Sequence, residues 1–159
     1  MMKHAFSFVE ILMVIGIGLI LLSFSSFSII RARNAVSSDT TIDSLMNDIK
    51  LQQLQSMSGY DLSSVQTNNY GIYFETNRYT LFHTPTYQSN ASTNFVINLD
   101  NGNTFSTINL PSSQIIFASS SGEITNYDLI KNSLIITNTN TNESKTLIFN
   151  RYGVLTSLN

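Results

Sequence analysis

The N-terminal run FSFVEILMVIGIGLILLSFSSFSII (residues 6–30) limits the possible folds of this chain more than any other feature. No charge interrupts residues 11–30. A helix of that length spans about 30 Å, the thickness of a bilayer's hydrocarbon core. A secretory h-region is shorter, roughly 7–15 residues. No comparable run follows, so the sequence predicts a single membrane span and then a water-exposed domain. Lys3 and His4 precede the run, and Arg31 and Arg33 follow it. The cation count therefore does not orient the span. The short leading segment favours a cytoplasmic N-terminus and an exported C-terminal domain.

The run is not uniform. Gly16 and Gly18 interrupt it, and Ser23, Ser25, Ser26 and Ser28 line its second half. Small residues let helices approach closely where no hydrophobic force drives them together. One carboxylate, Glu10, stands near the start. A carboxylate costs about 2.5–3.5 kcal/mol at a bilayer centre and less near an edge. Either Glu10 reaches water from the interface, or it pairs with a cation that another chain supplies.

The segment AFSFVEILMVIGIGLILL resembles the N-terminal signal of type IV pilins and type II secretion pseudopilins. Phe6-Ser7-Phe8-Val9-Glu10 matches that family's Phe-Thr-Leu-Val/Ile-Glu pattern. The resemblance implies a leader of residues 1–5, cut by a prepilin peptidase between Ala5 and Phe6. Phe6 then becomes an N-methylated terminus. It also implies that Glu10 is an assembly residue, neutralised by the amine of Phe6 in a neighbouring or the same subunit. Implied partners are other pilin or pseudopilin subunits, the peptidase, inner-membrane assembly machinery, and membrane lipid before assembly. Implied locations are the cytoplasmic membrane in a single pass, then a filament on the surface or in the periplasm. Two departures stand out. Ala5 replaces the usual Gly before the cut, and the helix has no proline, since the only prolines are Pro85 and Pro111.

Beyond Arg33, Ile42, Leu45, Met46 and Ile49 recur at i, i+3, i+4 and i+7, the spacing of one helical face. Asp39, Asp43, Asn47 and Lys50 fall off that face. Gly59 suits a helix stop. The spacing predicts a continuous helix through residue 58, with residues 6–30 in membrane or filament core and 31–58 on a sheet; the alternative is a break near Ser37-Ser38-Asp39, with Asp39 or Ser38 capping a second helix. Residues 59–159 read as antiparallel β structure. YGIYFETNRYTLFH reads as a hairpin turning at Thr76-Asn77, and FVINLDNGNTFSTINL as a second hairpin turning at Asn101-Gly102. QIIFASSSGEI supplies a further strand, and a last hairpin turns near Asn140–Ser144. The expected fold class is α+β: a long amphipathic or transmembrane helix packed on a C-terminal antiparallel sheet domain, the pilin fold. Tyr70-Gly71-Ile72-Tyr73-Phe74, Ile115-Ile116-Phe117 and Arg151-Tyr152-Gly153-Val154-Leu155 are similar to segments of the type H, FimT-like minor pilins.

Charged residues make up 11% of the chain, well below the roughly 25% of an average soluble domain. Ser, Thr and Asn fill the gap. The net charge of −2 argues against a nucleic-acid partner, which needs clustered cations. There is no cysteine, and the only histidines are His4 and His83. Thiolate and histidine-rich metal sites are thereby excluded. No nucleophile elbow or phosphate loop occurs, so neither a cofactor nor an enzymatic activity is expected. Asp100, Asn101 and Asn103 form a sparse candidate for calcium. Two functions remain: a structural subunit of a type IV pilus or secretion pseudopilus, major or minor, or a membrane-anchored binding module such as an adhesin or DNA-uptake receptor.

Overall fold

The computed structural model describes residues 7–58, 69–100 and 102–158, with side chains of residues 24–37 left out. Helical backbone α1 runs Phe8–Ser58. Eight strands follow: β1 Tyr70–Glu75, β2 Arg78–Phe82, β3 Phe95–Asn98, β4 Asn103–Asn109, β5 Gln114–Phe117, β6 Ser133–Asn138, β7 Glu143–Phe149 and β8 Leu155–Leu158. They form two four-stranded sheets, ordered β3-β2-β1-β5 and β4-β6-β7-β8, and every pairing is antiparallel.

The expected fold class needs correction. Among the described residues, no helix is long and apolar enough to cross a membrane. Residues 8–23 are apolar, but at 1.5 Å per residue they cover only about 24 Å. Residues 38–58 are long enough but carry Asp39, Asp43, Asp48 and Lys50. Nor does α1 pack on the sheets as one long element. Its large apolar residues from Phe8 to Leu22 are exposed, whereas Ile42, Leu45 and Ile49 are buried. A transmembrane helix packed on a sheet domain is therefore not the architecture. The single-pass membrane localisation built on that span loses its support on the same ground.

The helix stripe at residues 42–49 enters one core with both sheets. Ile42, Leu45 and Ile49 join Ile72, Phe74 and Phe117 of the first sheet and Phe105, Leu134, Ile136, Leu147 and Phe149 of the second. Phe74 meets Phe105 edge-on, with centroids 5.5 Å apart at 87°, so an aromatic pair joins the two sheets. The end of α1 is fixed by its polar residues. Ser56 Oγ donates to the carbonyl of Ala118 at 2.6 Å, and Gln53 Nε2 donates to those of Gly122 and Tyr152, both at 2.8 Å.

The first hairpin forms as the sequence predicts, with Glu75 opposite Arg78. The second does not. β3 pairs with β2 in the first sheet, and β4 pairs with β6 in the second. The Leu99 amide bonds the Asn77 carbonyl at 2.9 Å, and the chain then crosses between sheets. Gly102, at φ +97°, serves that crossing instead of a two-residue hairpin turn. The segment 83–94 folds over the outer face of the first sheet. There Tyr87 stacks on Tyr73 at 4.0 Å and lies 5.7 Å from Phe82.

Candidate functional site: an uncovered apolar helix

Among the described residues, the N-terminal stretch of α1 carries the longest run of exposed large apolar side chains. Phe8, Val9, Met13, Val14 and Leu19–Leu22 are each exposed by 58% or more. They point in every direction around the helix, so no single face is apolar. A helix apolar all round is stable only when something surrounds it. Gly16 and Gly18 have nothing within 4 Å of a built Cβ, which leaves their backbone open to close approach. Ser23 Oγ bonds back to the Leu19 carbonyl at 2.9 Å and so adds no unpaired polar group.

Glu10 sits in the first turn of this stretch and is exposed. Its amide, like that of Ile11, bonds the carbonyl of Ser7, at 3.0 and 3.2 Å. Ser7 therefore immediately precedes the helix, and Glu10 occupies the position where a carboxylate suits the helix dipole. The spacing Ser7-x-x-Glu10 is that of a capping box. That spacing alone makes the local role legible in the sequence. Ala5 and Phe6, the cleavage and methylation positions, lie outside the described residues.

The other candidate residues are engaged elsewhere. Asn103 is turned inward: its Nδ2 donates to Thr41 Oγ1 at 2.9 Å, and its Oδ1 accepts from Ser38 Oγ at 3.1 Å and Asn138 Nδ2 at 3.2 Å. All four side chains are buried. Asn103 thus ties helix to sheets, and Asn101 lies outside the described residues. Among the described residues, no three metal-ligating side chains cluster. His83 stacks on Tyr70 at 4.2 Å, as a strand aromatic would.

A small cleft of about 130 Å³ opens between α1 and β3, lined by Thr41, Ser44, Tyr79, Asn98 and Asp100. Beside it, Tyr79 donates its hydroxyl to Asp48 Oδ2 at 2.6 Å. Burial, and then this bond to a carboxylate, push the Tyr79 hydroxyl far above the ordinary tyrosine range. A phenol held so firmly protonated anchors the helix and is a poor base. Of the cations after Arg78, Lys145 pairs with Asp39, and Arg151 pairs with Glu123 at 3.0 Å. No family model, curated protein or solved structure matches this chain.

Proposed function

We propose that this chain is a structural subunit, of the minor pilin or pseudopilin kind, of a type IV pilus or type II secretion pseudopilus. Prepilin peptidase cuts it between Ala5 and Phe6, Phe6 is methylated, and the chain assembles through its N-terminal helix. One observation carries this reading: the apolar residues from Phe8 to Leu22 are uncovered around the whole helix, with one carboxylate among them. Like helices from other copies would cover that surface at the bundle axis of a filament. Gly16 and Gly18 would allow them close approach.

Glu10 has a defined part in this reading. In the low dielectric of a helix bundle an unpaired carboxylate is costly, and the new amine of Phe6 is a cation at the correct end of the chain. Their pairing would set the axial register between subunits. The DNA-uptake reading has less behind it, because Lys145 and Arg151 are already engaged with acids. The test is the mass of the mature protein. It should begin at Phe6 and be about 14 Da heavier when methylated. A chain that keeps Met1 in cells containing the peptidase would sink the reading.

A further inference from the structure

Each sheet has two outer strands, and the four edges are not treated alike. The β5 edge is sealed. The Ile116 amide donates to Asn126 Oδ1 at 3.2 Å, Asn126 Nδ2 donates to the Gln114 carbonyl at 2.8 Å, and Thr125 bonds the Ile116 carbonyl at 2.8 Å. The β4 edge meets the first hairpin, where the Phe105 amide bonds the Thr76 carbonyl at 2.8 Å. β3 and β8 have no such cover among the described residues.

The geometry of β3 shows which groups are open. Leu99 bonds Asn77, which fixes the alternation along the β2–β3 ladder. Phe95 and Ile97 therefore face β2 with their backbone groups, and those of Val96 and Asn98 point away from it. Phe95 is 65% exposed and Val96 47%. On the far edge of the other sheet, Leu158 is 48% exposed. Neither FVIN nor LTSL contains a charge or a proline, the residues that normally block edge pairing.

We propose that β3 of one copy pairs edge to edge with β8 of a second copy, so that the first sheet of one subunit continues into the second sheet of the next. This rests on the filament reading, and the size of the contact says why the occupant is a copy of this chain. Two four-residue strands bury far less than the roughly 1,200 Å² of a stable free complex. Such an edge works between molecules already held together, where effective concentration replaces area. The helices supply that tether. Pairing β3 with β3 would close a two-fold dimer, whereas β3 with β8 is head-to-tail and can continue along a filament.

The chain has no cysteine, so any disulfide reports an engineered pair. Filaments of the full chain carrying Val96→Cys with a cysteine at each of Leu155, Thr156, Ser157 or Leu158 in turn are oxidised mildly. One register should dominate and give a ladder of linked multimers, because paired strands bring Cα atoms within disulfide range. Ile15→Cys serves as the helix control. Links at Ile15 with none at any of the four edge pairs would overturn the pairing and leave the filament reading intact. Absence of both links, with no sedimenting filament, would remove the filament reading and the pairing with it. Val96→Pro removes an outward donor and no bond to β2. It should leave the melting temperature within a few degrees and make filaments shear several-fold more readily; unchanged shear resistance would count against the pairing.

Discussion

Asn103 Nδ2 donates to Thr41 Oγ1 at 2.9 Å, a buried bond that joins the first residue of β4 to the helix 62 positions earlier in the chain. It lies at the centre of a polar node with Ser38 and Asn138. Asn138 Oδ1 in turn accepts the amides of Asn140 and Thr141, at 2.9 and 3.3 Å. The node thus fixes a turn, a strand and the helix at once. Asn103→Ala should cost about 2–3 kcal/mol, because it removes bonds from groups that stay buried. Thr41→Val, which keeps the shape and removes the acceptor of the Asn103 amide, should cost about 1 kcal/mol. Urea unfolding followed by tyrosine fluorescence measures both. Equal effects would mean that the node is not centred on Asn103.

Gly71 is required by close approach. A Cβ there would collide with the Phe82 ring and stand 2.6 Å from the Ile115 carbonyl. The ring can shift, but the carbonyl belongs to the paired strand β5 and cannot. Gly71→Ala should destabilise the protein by about 1–3 kcal/mol. Adding Phe82→Leu should recover less than half of that loss. Full recovery would show that the ring alone imposes the constraint.

Local signals in the sequence found local structure. Aromatic and β-branched residues around Thr76-Asn77 marked the first hairpin. The four-residue spacing from Ile42 to Ile49 marked the buried helix face. What failed depended on distant partners. Asn101-Gly102 has the chemistry of a hairpin turn, yet the bond from Leu99 to Asn77 sends the chain to another sheet. The packing of Tyr87 is not legible either, since only the register of β1 on β2 puts Tyr73 and Phe82 beneath it. The inward turn of Asn103 is likewise not legible, because nothing local shows which way an asparagine turns. For the candidate site, residue type and position were legible in the sequence, and the exposure of the helix all round was not.

The Tyr79–Asp48 bond predicts a response to alkali. The hydroxyl titrates far higher in the folded protein than the roughly 10 of an unfolded tyrosine. The folded state therefore holds the proton more tightly. Its contribution is fully present below about pH 10 and is lost as pH rises above that. Wild-type stability should fall more steeply above pH 10 than that of Tyr79→Phe. At neutral pH the Phe variant should be weaker by about 1–2 kcal/mol, through loss of a bond to a carboxylate. Parallel stability curves from pH 9 to 11 would contradict the assignment.

Two readings of Glu10, a helix-start residue and the proposed assembly residue, can be separated by substitution. A role in starting the helix needs an acceptor at the third position of the first turn, and glutamine serves there nearly as well as glutamate. A role in assembly needs the negative charge, because the implied partner is the amine of Phe6 in low dielectric. Glu10→Ala removes both, and Glu10→Gln removes only the second. Both variants should reduce the sheared-filament fraction at least tenfold, while total cellular protein stays unchanged on immunoblot. Circular dichroism should show the same helix content for Glu10→Gln as for wild type. If Glu10→Gln assembled normally and only Glu10→Ala failed, the carboxylate would be a helix-start residue and its charge would play no part between subunits.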